Sequence, residues 1–360
     1  MKLGLKLDEN IHYYDEYGNS YDNRHDLFNR KDVKLKRFYY YDREFDKVDW
    51  KKEPVEDLST LYRLRAQQIR DQYDYIILCY SGGLDSTNIL ETFYYNNIHI
   101  DEILVVGAFS QDKFDGDDTN HNGDIYYNVY PTLKEMHFPN TKITIKDYTD
   151  YFSDPNNFSL IKDYGDDFSL FLGSYTSVHN LFWYDLKKFI APSSDKKTCY
   201  VMGSDKPKLA YDELIKAFYT YIDDNAVADY GAALFDENFN RVNFYTHPDA
   251  EALMRKQLHI ILKFYVQNVL LTKTMQHNDF NKYYITIANA LIYNLKHPLK
   301  FISQKSSIAC LSIRDTFMLN VQDTEMFRIY KDSLARLNKH VALPRKGFRS
   351  KQYFLTEYSQ

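Results

Sequence analysis

Apolar positions change their spacing repeatedly between residues 54 and 205 of this chain. Leu58, Leu61, Leu64, Ala66 and Ile69 recur at helical intervals, and Pro54 suits a first turn, so a helix is expected over 55–72. YDYIILCY (73–80) is short, apolar and β-branched, the pattern of a buried strand. A helical pattern runs from Asp85 to about Asn96, and IDEILVVGAF (100–109) gives a second strand that ends at Gly107. KITIKD (142–147) is a third strand, residues 157–190 read as helix, and TCYVMGSD (198–205) is a further strand that meets Gly203. Strands that alternate with helices and end in polar turns predict an α/β fold with a doubly wound, mostly parallel sheet.

The flanks read differently. Residues 1–53 are rich in Tyr, Asp and Lys, alternate weakly and carry turn signals, so a small β-rich N-terminal accessory segment is expected. KPKLAYDELIKAFYTYI (206–222), DAEALMRKQLHIILKFYVQNVLLTK (249–273), NKYYITIANALIYNLK (281–296) and EMFRIYKDSLARLNKH (325–340) all read as helices. The expected organisation is therefore an accessory segment over 1–53, a nucleotide-binding α/β domain over 54–220, and a mainly helical region over 221–360 that completes the substrate site.

Composition narrows the function classes. With 360 residues, 44% of them hydrophobic, the chain can bury a sizeable core. Its net charge of −5 gives no global signature of nucleic-acid binding. The three cysteines, Cys79, Cys199 and Cys310, form no CxxC pair, which argues against a disulfide framework or a structural zinc site. No stretch reads as a signal peptide or a membrane span, so a cytoplasmic protein is expected, in the host cytoplasm if the source is viral. Tyrosine is abundant (34) and glycine scarce (12), so each glycine more strongly marks a backbone requirement. Gly82, Gly83, Gly107 and Gly203 all fall at the ends of expected strands.

The chemistry concentrates in LCYSGGLDSTNIL (78–90). A helix that starts just after a parallel strand offers unpaired N–H groups and a partial positive charge, which favour anions. Ser81, Gly82 and Gly83 let a backbone approach a pyrophosphate closely, and Ser81, Ser86 and Thr87 add hydroxyls. An aspartate beside polyphosphate makes sense as a Mg2+ ligand, which assigns that role to Asp85. GxxxxGK[ST] and GxGxxG are both absent. The bland alternative is a Gly-Gly turn between a core strand and a capped helix.

YSGGLDS (80–86) resembles the PP-loop of the ATP pyrophosphatase superfamily, whose signature is SGGxDS at a strand-to-helix turn. The resemblance implies an N-type, adenine nucleotide α-hydrolase-like fold. It implies a loop of Ser81, Gly82, Gly83, Leu84, Asp85, Ser86 and Thr87 that holds the β- and γ-phosphates of ATP with Mg2+. AMP would pass to a carboxylate or carbonyl oxygen, and ammonia or an amine would then displace it. Val106, Gly107 and Ala108 become candidates for contact with adenine; as Val-Val core residues they are equally ordinary. GSDKP (203–207) resembles, in placement but not in letters, a turn of the asparagine synthetase synthase domain that helps hold Mg-pyrophosphate. On that basis Gly203 and Ser204 face the nucleotide, Asp205 is a second metal ligand, and Lys206 meets phosphate oxygens. The competing reading is a loop and helix cap with Pro207 in the first turn.

The activity expected is asparagine-synthetase-like adenylation and amide or C–N bond formation. No cysteine precedes Cys79, so the glutaminase domain in its usual form is not expected, and ammonia, an amine or a partner must supply nitrogen. Scattered cysteines also argue against the zinc-bearing 7-deazaguanine nitrile synthases and against thiolating relatives. A basic stretch, Arg336, Lys339, His340, Arg345, Lys346, Arg349 and Lys351, with Phe348 and Tyr353 interleaved, keeps a nucleic-acid base-modifying enzyme open as an alternative. A non-catalytic nucleotide-binding scaffold is another. DGDDTNHNGD (115–124) reads as a solvated loop, and Gln257 and His259 read as satisfied core polar residues.

Overall fold

The structure is a computed structural model that describes residues 11–21, 35–107, 124–147, 195–203, 206–212, 214–222, 239–268, 287–300, 322–325, 328, 331–332 and 349–356. The helices expected over 157–190 and most of 325–340, together with Ala108, Ser204, Asp205 and Cys310, lie outside the described residues.

Strands β1 (Ile11–Asp15), β2 (Ser20–Tyr21) and β3 (Leu35–Tyr40) form a small antiparallel sheet in the order β2-β1-β3. This is the β-rich N-terminal segment expected from its weak alternation. Asp15 organises its first turn, accepting from the Asn19 and Tyr17 backbone N–H groups and from the Asn19 amide and Tyr21 hydroxyl. The buried Tyr40 phenol donates to the Thr246 carbonyl at 2.6 Å, which ties this sheet to the body. A short helix, α1 (Asp42–Phe45), follows.

Helix α2 (Leu58–Gln72) starts where Asp57 caps it, accepting from the Thr60 N–H at 2.7 Å. Leu61, Ala66 and Ile69 face the core as the spacing requires, whereas Leu64 is 47% exposed. Arg65 takes the inward place instead. Its guanidinium donates to the carbonyls of Asn243 (3.0 Å) and Phe244 (3.3 Å), which satisfies both the buried charge and those acceptors.

The main sheet consists of β4 (Tyr75–Cys79), β5 (Glu102–Gly107), β6 (Lys142–Asp147), β7 (Thr198–Met202) and β10 (Phe239–Asn243), all parallel. Its order is β10-β7-β4-β5-β6. Helix α3 (Leu84–Tyr95) follows β4, and a π-helical turn (Ile125–Val129) leads into α4 (Tyr130–Glu135) before β6. The fold is thus α/β and doubly wound. Ile76, Ile77 and Leu78 are fully buried because β4 is central and covered on both faces. Helix α5 (Glu251–Gln267) packs on α2, with Met254, Leu258, Ile261 and Tyr265 turned inward. Strand β10 adds to the parallel sheet from beyond residue 220, so this sheet draws on chain from both sides of the expected boundary there.

One expectation is corrected. Residues 206–222 do not form a helix but the antiparallel pair β8 (Lys208–Asp212) and β9 (Ala217–Tyr221), extended by β11 (Tyr353–Phe354) in the order β11-β9-β8. The Asp212 carboxylate accepts from the Leu214 (2.9 Å) and Ile215 (3.3 Å) N–H groups, and Lys216 adopts a left-handed φ of 51°, so the chain turns back. AFYTY is rich in aromatic and β-branched residues, which favour a pleated surface over a helix. Pro207 therefore precedes a strand and caps no helix. Among the described residues no helix is long and apolar enough to cross a membrane.

Candidate active site

From β4 the chain winds one way to β5 and β6; on the other side of β4 lie β7 and β10. The carboxyl ends of β4 and β7 therefore mark the topological switch point, where ligands of open parallel sheets bind. SGGLDS leaves β4 and Gly203 leaves β7 at this place.

The backbone here requires glycine. Gly82 has φ +74°, and a Cβ built on it would lie 2.6 Å from the Asp124 carbonyl oxygen and 2.8 Å from Val129 Cγ2. Gly203 is pressed against the motif from the neighbouring strand, with its Cβ position 3.1 Å from Asp85 Cβ and from the Ser86 nitrogen. The two strand ends meet tightly enough that the start of α3 packs on Gly203.

The loop's side chains divide into two groups. Ser86 is buried, and its hydroxyl braces the turn: it donates to the Gly83 carbonyl (3.2 Å) and accepts from the Ser81 N–H (3.3 Å). Thr87 is fully buried, with its hydroxyl 3.5 Å from the Tyr80 phenol. Ser81 is exposed, and Gly83, Leu84 and Asp85 are half-buried at the open end of the helix. On the other flank, Tyr80 N–H donates to the Leu104 carbonyl, so Val106 and Gly107 extend past the end of β4.

Asp85 is the electrostatic centre. Its Oδ1 accepts from both the Lys206 ammonium and the Tyr293 phenol. Lys206 Nζ also lies 5.0 Å from the centre of the Tyr293 ring. The Asp85 backbone carbonyl accepts from the Tyr245 phenol at 2.8 Å, and Asn88 donates to that phenol at 3.0 Å. Burial, reinforced by the Asp85 charge and the neighbouring tyrosines, holds the Tyr293 and Tyr245 phenols well above the usual tyrosine range. Both remain neutral donors.

The donor set suits a magnesium polyphosphate. Among the described residues no group of three or more His, Cys, Asp or Glu gathers as a metal cluster. Beside phosphates, Mg2+ takes only one or two carboxylates and completes its shell with phosphate oxygens and water. Asp85 matches that need, since its side chain is 36% exposed and Oδ2 has no protein donor among the described residues.

Three distant residues that the sequence pattern did not single out complete the arrangement: Tyr245, Tyr293 and Asn128. Asn128 donates to the Gly82 carbonyl (3.0 Å) and accepts from the Lys300 N–H (3.0 Å). The basic stretch is described only in part: Arg349 covers the Tyr221 ring at 4.3 Å, and Lys351 pairs with Asp46. His259 bonds the Trp50 carbonyl at 3.0 Å as a satisfied core residue, whereas Gln257 is satisfied only in part: its amide N–H donates to the Tyr62 phenol at 3.0 Å and its buried Oε1 has no partner among the described residues.

No family model matches the chain, and no curated protein matches it. Among solved structures it is similar to the NH3-dependent NAD synthetase of Campylobacter jejuni in complex with the nitrate ion. The two share 13% identity over 81% of this chain and 98% of that one, with a TM-score of 0.30.

Proposed function

We propose that this protein is an ATP pyrophosphatase of the PP-loop type: it cleaves ATP to AMP and pyrophosphate and places AMP on a carboxylate or carbonyl oxygen for attack by ammonia or an amine. The observation that supports this most is SGGLDS at the switch point, with Gly82 held at φ +74° and Asp85 at the mouth of α3. Gly82 and Gly83 give polyphosphate oxygens access to backbone N–H groups at a helix N-terminus. Ser81 adds a hydroxyl from the exposed rim. Lys206 carries positive charge to the same place, and Ser204 and Asp205 belong to this turn in the proposal. Asp85, with Asp205, would hold Mg2+, which neutralises the charge that builds on the leaving pyrophosphate. Val106, Gly107 and Ala108 would line the adenine side.

The test is product analysis. ATP labelled at the α-phosphate, incubated with the protein, Mg2+ and a panel of carboxylates, should give AMP and pyrophosphate. ADP and phosphate as products would overturn the proposal. Pyrophosphate–ATP exchange that depends on free amino acids points to a small-molecule ligase, whereas exchange that depends on tRNA or DNA points to base modification. ATP bound without turnover under any of these conditions would leave a nucleotide-binding scaffold.

A further inference from the structure

We propose that Tyr293 is a positioning residue for Asp85: its phenol holds one carboxylate oxygen so that the other faces the cation accompanying polyphosphate, while its ring seats Lys206. The inference rests on the function proposed above and adds a residue that no motif contains.

Three observations carry it. First, the Tyr293 hydroxyl donates to Asp85 Oδ1 across 208 positions of sequence, and Oδ2 is left without a protein donor among the described residues. A carboxylate fixed through one oxygen loses the rotations that would otherwise disperse the second. Secondly, Tyr293 is itself anchored independently of Asp85. Its N–H closes a helical turn on the Asn289 carbonyl (3.0 Å). The chain just after it is clasped to α3, where the buried Glu91 carboxylate accepts from the N–H groups of Lys296 (2.8 Å) and His297 (2.7 Å). A few residues on, Lys300 reaches the Gly82 loop through Asn128. Thirdly, the Tyr245 ring packs 5.9 Å from the Tyr293 ring and its own phenol fixes the Asp85 carbonyl. Peptide and carboxylate of one residue are therefore both oriented by phenols from outside the motif.

The choice of a phenol has a physical reason. Lys206 and Tyr293 share Asp85 Oδ1, but they differ in charge. An ammonium on a flexible stem competes with a metal for a carboxylate and is drawn away by phosphate oxygens. A neutral donor stays when a cation arrives and keeps the ligand aligned. Groups that hydrogen-bond a metal ligand in this way typically change metal affinity by about 10–100-fold when removed.

The experiment uses the full chain, Mn2+ as a spin probe and α,β-methylene-ATP, which resists cleavage between the α- and β-phosphates. Free Mn2+ is read by EPR for wild type, Tyr293→Phe, Asp85→Asn and the double variant. Tyr293→Phe should bind Mn2+ about tenfold more weakly, with nucleotide affinity in EDTA unchanged and the double variant no weaker than Asp85→Asn alone. Equal Mn2+ affinity in wild type and Tyr293→Phe, or losses that add in the double variant, would overturn the inference. Should Tyr293→Phe fail to fold, 3-fluorotyrosine in place of Tyr293 keeps the shape and strengthens the donor. It should shift Mn2+ affinity by about twofold or more, and an unchanged value there also overturns the inference. A wild-type chain that binds no Mn2+ with the nucleotide removes the proposed function, and this inference falls with it.

Discussion

The loop after β4 and the segment that clasps it are built on different terms. Seven consecutive residues, Tyr80–Ser86, contain the turn, its glycines, its brace and its carboxylate. The clasp is assembled from Asn128, Tyr245 and Tyr293, whose contacts with the loop span from 46 residues, for Asn128 to Gly82, to 208, for Tyr293 to Asp85, with Lys300 bonded behind Asn128. Local geometry specifies the first, because a left-handed φ and a strand-to-helix turn need particular residue types at adjacent positions. Only the tertiary fold specifies the second. A phenol and an amide can donate from almost anywhere that packing delivers them.

The widest separation between the two regions comes from Gly82→Ala. The new methyl meets the Asp124 carbonyl at 2.6 Å, and φ +74° is strained for any L side chain. The nearest obstacle is backbone, and the next is the stiff Val129 side chain, so the loop must shift. ATP cleavage should fall by about a hundredfold or more, the scale on which a transition-state donor is lost. A variant with near-normal turnover would show that the loop does not approach phosphate.

Asp85→Asn should cost about a hundredfold in kcat while the melting temperature moves little. The amide keeps the shape and can still accept from Tyr293, but it no longer carries the charge that pairs with Lys206 or a metal. Unchanged turnover would remove Asp85 from the chemistry. A large fall in melting temperature would make its role structural instead.

Asn128→Ala tests the clasp alone. It leaves every motif residue in place but strips the Gly82 carbonyl of a donor and the Lys300 N–H of an acceptor. Two lost partners at a buried side chain should cost about 1–3 kcal/mol in denaturant unfolding. The KM for ATP should rise more than kcat falls. A drop in stability with an unchanged KM would mean that the clasp holds the fold and not the loop.

The same contrast explains what could be read from the sequence. The order of strands and helices from 58 to 107 was legible because each element has one strong pattern, and glycines mark the ends of both strands. Residues 206–222 misled because Leu209, Ile215, Phe218 and Ile222 fit a helical spacing about as well as a strand's, and the deciding features are the Asp212 turn and the pairing with β11. Arg65 was hidden because a buried guanidinium has no signature until the carbonyls of Asn243 and Phe244 are seen beside it. Tyr245 and Tyr293 were hidden by number: with 34 tyrosines, no single one stands out. Helical spacing in 281–296 put Tyr293 inside a helix, whereas the described helical residues end at 292 and Tyr293 lies just beyond them.

The smallest effect concerns thiols, and it bears on where the nitrogen comes from. Two of the three cysteines lie in the strands that carry the site. Cys199 is fully buried in β7, and Cys79 ends β4 with some surface exposed. Burial pushes the Cys79 thiol up to about 12 from its ordinary 9.0, with Glu102 adding to the rise and Arg241 opposing it, and burial raises Cys199 further. The thiolate is the nucleophile, so at pH 8 about one Cys79 in ten thousand is in reactive form. A raised pKa favours the folded state below pH 9, and that contribution fades as the pH climbs from 9 toward 12. In a Cys310→Ala background at pH 8, Ellman's reagent should therefore label native Cys79 slowly and Cys199 only after unfolding, when two equivalents appear. Iodoacetamide on the same native protein should leave ATP cleavage intact. Ammonia or an amine should then support product formation, and glutamine should not, because neither core thiol can attack its amide. Fast labelling of Cys79 together with glutamate release from glutamine would place a working nucleophile at the end of β4 and reverse this account.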